Sequence, residues 1–87
     1  MKLSQLKGLG PKSEQALITI GITSAEELLQ KNAYEVYAQL KAQEPATSLN
    51  MLYALLGAQQ NLHWQEIRRL NKEQILMTLD DMGIAPE

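Results

Sequence analysis

The chain is 87 residues long, 45% of them hydrophobic and 21% charged, with a formal net charge of −2. This length suits one small core, so we expect residues 1–87 to fold as a single domain with no second lobe. The composition excludes a disordered chain. The lack of Cys excludes disulfides, thiolate metal sites and a Cys nucleophile.

Charge is distributed unevenly along the chain. Residues 1–13 carry Lys2, Lys7 and Lys12 and no acidic residue, whereas residues 72–87 are predominantly acidic. A chain that is acidic overall does not attract nucleic acid as a whole. Only the basic N-terminal region is therefore a candidate for contact with a phosphate backbone.

No segment has the features of a signal peptide or a membrane span. The N-terminal residues lack a continuous apolar stretch, which a signal peptide requires. The apolar run at residues 51–58 is much shorter than the about 20 residues that cross a bilayer. We therefore expect a cytoplasmic protein that does not enter a membrane.

Turn residues predict helices from the start of the chain. Strands are not indicated, because period-two alternation is absent and the chain contains no Phe,. A short first helix is expected over residues 2–7. A second is expected over 11–20, beginning at Pro11 and closed by Gly21 in a left-handed conformation.

The next two helices are marked by polar residues. Ser24 with Glu27 is a capping-box pattern and predicts a helix ending near Lys31. Asn32, which tolerates positive φ, is expected to break the chain there. An amphipathic helix is then expected over residues 33–43. Its apolar face consists of Ala33, Tyr37 and Leu40, with Tyr34 beside them.

The most apolar helix follows the only linker-like segment, residues 44–47. Thr47 or Ser48 is expected to cap it, and apolar residues occupy nearly every face from residue 49 to about Asn61. Such a helix is stable only when other helices surround it, so we place it at the centre of the fold. Gly57 and Ala58 within it would allow a close helix crossing.

Two short helices are predicted after this central one. Apolar residues at every third position indicate a sixth helix; they are Trp64, Ile67 and Leu70. Asn71 with Gln74 is a cap pattern that indicates a seventh. Its apolar stripe consists of Ile75, Leu76, Leu79 and Met82. The sequence therefore predicts an all-α fold, a compact bundle of six or seven short helices.

The clearest chemical pattern lies between the first two predicted helices. Leucines stand at every third position, namely Leu3, Leu6 and Leu9, and glycines flank the last of them. Leu9 is expected to insert between the helices, while Gly8 and Gly10 allow a sharp turn with outward N–H groups. These amides and the first turn of the next helix would form an anion site.

A helix N-terminus contributes only about 0.3–1 kcal/mol toward a negative charge, so Lys7 and Lys12 would supply most of the remaining attraction. The candidate DNA-binding residues are Lys7, Gly8, Leu9, Gly10, Lys12 and Ser13. The alternative is a turn that merely joins two helices, with both lysines in solvent. The residues leave both interpretations open.

This segment resembles the helix-hairpin-helix motif, an element that binds the DNA backbone. The motif has apolar residues at the positions of the three leucines, a Gly on each side of the last, and a small Ala four residues after the second Gly. The matching residues are Leu3, Leu6, Gly8, Leu9 and Gly10. Glu14 stands in place of the Ala, and its carboxylate is expected to loosen the packing of the two helices and to repel an anion.

Further segments keep an order and spacing typical of one family: residues 9–13, 20–24 and 49–58, with Glu27, Leu28 and Trp64. Over residues 3–76 the chain resembles the C-terminal domain of the TfoX (Sxy) family of competence regulators. The resemblance implies a helical domain with paired helix-hairpin-helix-like (SAM-like) units. It also implies a role in transcription of DNA-uptake genes, alongside a cyclic-AMP receptor protein. Asn32 stands where the family tends to have Gly, so the second hairpin is not expected to hold phosphate.

No combination of residues indicates catalysis or a metal site. His63 is the only His, and no nucleophile or metal-binding spacing accompanies it,, so we expect it at the surface. The remaining aromatic residues are expected in the core or at its edge; they are Tyr34, Tyr37, Tyr53 and Trp64. We therefore expect no enzyme, no cofactor and no small-molecule substrate.

Two hypotheses about function follow. The first is a non-catalytic module that contacts a protein partner in transcription regulation, favoured by the family resemblance and the acidic net charge. The second is weak, sequence-independent binding of the DNA phosphate backbone through the turn at residues 8–10.

Overall fold

The computed structural model describes residues 2–84, and every regular element in that range is helical. A one-turn 3₁₀-helix, Leu3–Gln5, precedes five α-helices. In chain order these are α1 Pro11–Thr19, α2 Ala25–Leu29, α3 Ala33–Gln43, α4 Leu49–Gln60 and α5 Trp64–Asp81. The predicted all-α class is confirmed, and the first helix, expected over residues 2–7, is limited to the 3₁₀ turn.

Local chemistry sets the limits of α1 and α2. Pro11 is the first residue of α1, and Gly21 beyond its end has φ 87°, in the left-handed region that glycine enters without steric cost. The Ser24 hydroxyl accepts a hydrogen bond from the Glu27 N–H at 3.2 Å and caps α2. The reciprocal half of the predicted capping box does not form, because the Glu27 carboxylate accepts from the Thr23 and Ser24 hydroxyls.

The break between α2 and α3 has a different cause from the one predicted. Asn32 has φ −76°, so it does not adopt the expected positive φ. Its side-chain oxygen accepts hydrogen bonds from the N–H groups of Tyr34 at 2.9 Å and Glu35 at 3.2 Å. Asn32 is therefore the N-cap of α3.

Helix α4 lies in the middle of the core. It packs against α3 on one side and α5 on another, which agrees with its apolar residues on nearly every face. Its buried residues are Leu52, Tyr53, Leu55, Leu56, Gly57 and Ala58. All of them except Gly57 belong to one continuous cluster with buried side chains from the 3₁₀-helix, α1, α2, α3 and α5.

Gly57 permits a close approach, but by the turn that follows α4 rather than by a crossing helix. A Cβ atom on Gly57 would lie 2.5 Å from the carbonyl oxygen of Leu62. Asn61 ends α4 in the left-handed region at φ 57°, and the Leu62 N–H donates to the Gly57 carbonyl at 2.8 Å. The chain therefore reverses tightly, and α5 begins beside the end of α4.

The prediction of separate sixth and seventh helices is wrong, because α5 runs without a break over 18 residues. Neither Gly nor Pro interrupts residues 64–81, and a cap at Asn71 would contribute only about 1 kcal/mol. Leu70 is 59% exposed and does not lie on the same face of α5 as Trp64. A residue six positions along a helix lies about 120° around the axis from the first, so the spacing of three does not keep one face.

Aromatic residues occupy the core and its edge. Tyr37 is 1% exposed and Tyr53 is 3% exposed, while Tyr34 and Trp64 are half-buried against the same cluster. Burial raises the pKa of the Tyr37 hydroxyl above its ordinary value, because a phenolate is poorly solvated there.

The contact at Gly57 predicts a specific loss of stability. Gly57→Ala places a methyl group against main-chain atoms, and we expect the free energy of unfolding to fall by about 1–3 kcal/mol in urea denaturation. Gly10→Ala is the matched control, because nothing lies within 4 Å of its Cβ position and its φ is −103°. Equal stability losses in the two variants would contradict the tight turn.

Candidate nucleic-acid interface

The turn between the 3₁₀-helix and α1 is built around a buried leucine. Leu9 is 5% exposed and packs in the core cluster with Leu3, in the inserted position that the spacing predicts. Gly8 has φ 85°, which glycine adopts readily. Because the Leu9 side chain is buried, this residue can offer only its main chain to a ligand.

The main-chain N–H groups of this turn are largely unengaged. Within residues 2–84, the N–H groups of Lys7, Gly8 and Gly10 donate no hydrogen bond, whereas the Leu9 N–H donates to the Leu6 carbonyl at 3.2 Å. The N–H groups of Lys12 and Ser13 lie in the first turn of α1, where an α-helix provides no acceptor, and no side chain caps them. These amides are available to an acceptor from outside.

The Glu14 carboxylate accepts no hydrogen bond from these amides. It accepts a hydrogen bond from the Ser4 N–H at 3.3 Å, so it connects α1 to the 3₁₀-helix. The sequence does not indicate this contact between the two helices. The charge of Glu14 nevertheless remains within the first turn of α1.

Two cationic side chains accompany the turn. Lys7 and Lys12 are exposed, and among the described residues neither forms an ion pair or a hydrogen bond. Ser13 is half-buried. The six residues singled out by the sequence thus comprise two free ammonium groups, a buried plug and a set of open main-chain donors.

A groove of about 330 Å³ adjoins the turn. Gly8 and Ser13 form one side, and Ser48 and Asn50, at the start of α4, form another. Ser48 is the N-cap of α4 but its hydroxyl makes no capping bond. The groove is completed by Met51, Ala54 and Trp64. The first turns of α1, α4 and α5 therefore border one concave surface, and each presents the partial positive charge of a helix N-terminus.

Sequence reasoning missed this arrangement of Ser48, Asn50 and Trp64 around the turn. The sequence predicts Thr47 or Ser48 as a cap and Trp64 as a core residue, but no local pattern indicates that the starts of distant helices meet. Helix propensity and capping describe only neighbours along the chain.

In the second hairpin, between α2 and α3, two first-turn donors are already occupied by a side chain of the protein. The Asn32 side chain occupies the N–H groups of Tyr34 and Glu35, which are the first-turn donors that a phosphate would need. This gives a physical reason for the expectation that the second hairpin does not hold phosphate.

His63 has a structural role that the sequence did not indicate. Its Nδ1 atom accepts a hydrogen bond from the Gln65 N–H at 3.2 Å, so the exposed imidazole caps α5. In the described part of the chain, no group of three or more His, Asp or Glu side chains is arranged to hold a metal ion. No helix within residues 2–84 has the length and hydropathy needed to span a bilayer.

Comparison with known proteins assigns the chain to a family. The family model of the TfoX C-terminal domain matches residues 1–79. The chain is 31% identical over 81 residues to the DNA transformation protein TfoX of Haemophilus influenzae. The aligned stretch covers 93% of this chain and 37% of that protein. The chain therefore spans little more than a third of that relative's length.

A solved structure shares the whole fold. The crystal structure of an uncharacterized protein from Listeria monocytogenes matches with a TM-score of 0.82 and 26% sequence identity, covering 100% of both chains. The family match and the curated relative agree with the motifs of residues 3–76. This chain belongs to the TfoX C-terminal domain family.

Proposed function

We propose that the chain is a non-catalytic interaction module of a bacterial competence regulator, acting in the cytoplasm by contact with a protein partner in transcription regulation. The name of the Haemophilus influenzae relative, a DNA transformation protein, supports the link to competence. The role of His63 as a helix cap supports a non-catalytic module, because its imidazole already has a structural partner.

The observation that carries this proposal is the outward side of α5. Leu70 is 59% exposed and Met77 is 68% exposed, and their separation of seven residues is close to two helical turns. A chain this short needs most of its large apolar residues in the core. Apolar side chains that are exposed on the same side of one helix favour a surface that another protein covers.

Site-specific cross-linking in the organism that encodes the chain tests this proposal. A photoreactive residue in place of Leu70 is expected to form an adduct with a component of the transcription machinery, identified by mass spectrometry. The same group in place of Gln15, an exposed residue of α1, is the control and is expected to yield far less of that adduct. Deletion of the chain is expected to lower transcript levels of DNA-uptake genes.

Unchanged DNA-uptake transcripts in the deletion strain, together with adducts that contain no transcription component, would contradict the proposal.

A second candidate function, weak binding of the DNA backbone, is favoured by the open donors of the N-terminal turn. The N–H groups of Lys7, Gly8 and Gly10 lack acceptors within residues 2–84, and the exposed Lys12 stands at the start of α1. A phosphate needs donors and positive charge of this kind. One turn contacts few phosphates, so the affinity would be low.

Titration of a fluorescent DNA duplex at low salt tests this second candidate. We expect a shallow dependence of log K on log salt, with a slope of roughly −1 to −3. Lys12→Glu is expected to weaken binding by about threefold to tenfold, and Glu14→Gln to strengthen it, because a carboxylate in the first turn of α1 is removed.

Lys31→Glu is the matched control, because it makes the same change of charge at the second hairpin. Binding that is undetectable, or that responds equally to Lys12→Glu and Lys31→Glu, would remove the N-terminal turn as a DNA site.

A further inference from the structure

One row of residues on α5 combines exposed apolar and acidic side chains. Leu70 and Met77 are exposed. Glu66 lies four positions before Leu70, Glu73 lies three positions after Leu70 and four before Met77, and Asp80 lies three positions after Met77. We call Glu66, Leu70, Glu73, Met77 and Asp80 the outer row. Spacings of four and three alternate along it, which keeps all five residues on one side of the helix.

The outer row lies away from the core. The residues by which α5 enters the core cluster are Ile67, Ile75 and Leu79, and α5 packs chiefly on α4. At 100° per residue, Leu70 lies about 60° and Met77 about 80° from Ile67, and both lie at least about 140° from Ile75 and Leu79. The outer row is therefore a separate surface rather than the edge of the core.

Within the described residues, most of the negative charge on the outer row has no ion-pair partner. Arg69 donates to the Glu66 carboxylate at 2.6 Å, so that end of the row is partly neutralised. Within residues 2–84, Glu73 and Asp80 form no ion pair, and the neighbouring Asp81 adds a further exposed carboxylate. The unpaired negative charge of the outer row is therefore concentrated on the C-terminal half of α5.

This charge pattern decides between the possible occupants. A second copy of the chain would set one row of carboxylates against another, because the same side of α5 would face itself, and like charges at helix contacts are unfavourable. A helix with basic residues opposite Glu73 and Asp80, and apolar residues opposite Leu70 and Met77, satisfies both parts of the row. Charge complementarity therefore selects a basic amphipathic helix.

We propose that the outer row of α5 is the docking surface for a basic amphipathic helix of the protein partner. The inference rests on the proposed function and adds to it the position and chemistry of the contact. The partner helix carries Lys or Arg and Leu-like residues alternating at spacings of three and four. Its apolar side chains pack against Leu70 and Met77, while its cations pair with Glu73 and Asp80.

The purified full chain and a designed peptide test the proposal. The probe is a fluorescein-labelled peptide, matched in length to the 18 residues of α5, with Leu and Lys alternating at spacings of four and three. We expect saturable binding in fluorescence anisotropy. Leu70→Gln combined with Met77→Gln is expected to raise Kd at least about tenfold.

Charge reversal gives a second, independent measurement. Glu73→Lys with Asp80→Lys is expected to abolish binding of the Lys peptide and to create binding of a matched peptide that carries Glu in place of Lys. Leu29→Gln on α2 is the control, because Leu29 is 46% exposed and lies outside the outer row. This substitution is expected to leave Kd unchanged. Circular dichroism confirms that each variant is folded, as expected for exposed positions.

Three outcomes would overturn the proposal. The first is equal binding of the Lys and Glu peptides, and the second is that the wild-type chain binds neither peptide. The third is a dimer in sedimentation equilibrium that Met77→Gln dissociates, which would assign the row to a second copy of the chain. If the peptides fail to bind but the photoreactive residue at position 70 still yields a transcription adduct in cells, the proposed function stands and the partner at this surface is not a basic amphipathic helix. Peptide binding without any effect on DNA-uptake transcripts would instead retain the surface and remove the function.

Discussion

Burial of α4 on nearly all sides is the constraint on which the rest of the structure depends. The chain has no Cys and therefore no disulfide, and each fully buried Leu contributes about 1.5–3 kcal/mol, so packing around this helix supplies most of the stability. Leu52 and Leu55 are fully buried, between α3 and α5. The tight turn through Asn61 and Leu62 follows from the same constraint, because it lays α5 directly against α4 and requires a residue without a side chain at Gly57.

Both candidate surfaces are consequences of this packing. The plug formed by Leu9 fixes the N-terminal turn on the core while its neighbouring amides stay open. The start of α4, at Ser48, is brought beside that turn by the position of α4 itself. Helix α5 packs on α4 through one side, and its opposite side carries Leu70 and Met77 into solvent. In a domain with so few large apolar residues, their placement outside the core favours a role in contact with another protein.

Sequence patterns predicted the features that depend on neighbouring residues and missed those that depend on distant ones. Pro11 and Ser24 mark helix starts through local hydrogen-bonding chemistry, and Leu9 was expected as a plug from its flanking glycines. Asn71 was misassigned as a cap, because the same residue is tolerated inside a helix when no Gly or Pro interrupts the main chain. Two features arise only when separate helices meet, namely the hydrogen bond from the Ser4 N–H to the Glu14 carboxylate and the groove beside Ser48. No local sequence pattern indicates them.

Amide hydrogen exchange tests most directly the central claim, that stability resides in α4 while the donors of the N-terminal turn remain open. We expect the amides of Leu55 and Leu56 to exchange only through global unfolding. The amides of Gly8, Gly10 and Ser13 are expected to exchange at nearly the rate of an unstructured peptide. Protection of these three amides equal to that within α4 would contradict the account, because it would show that the protein itself already occupies them.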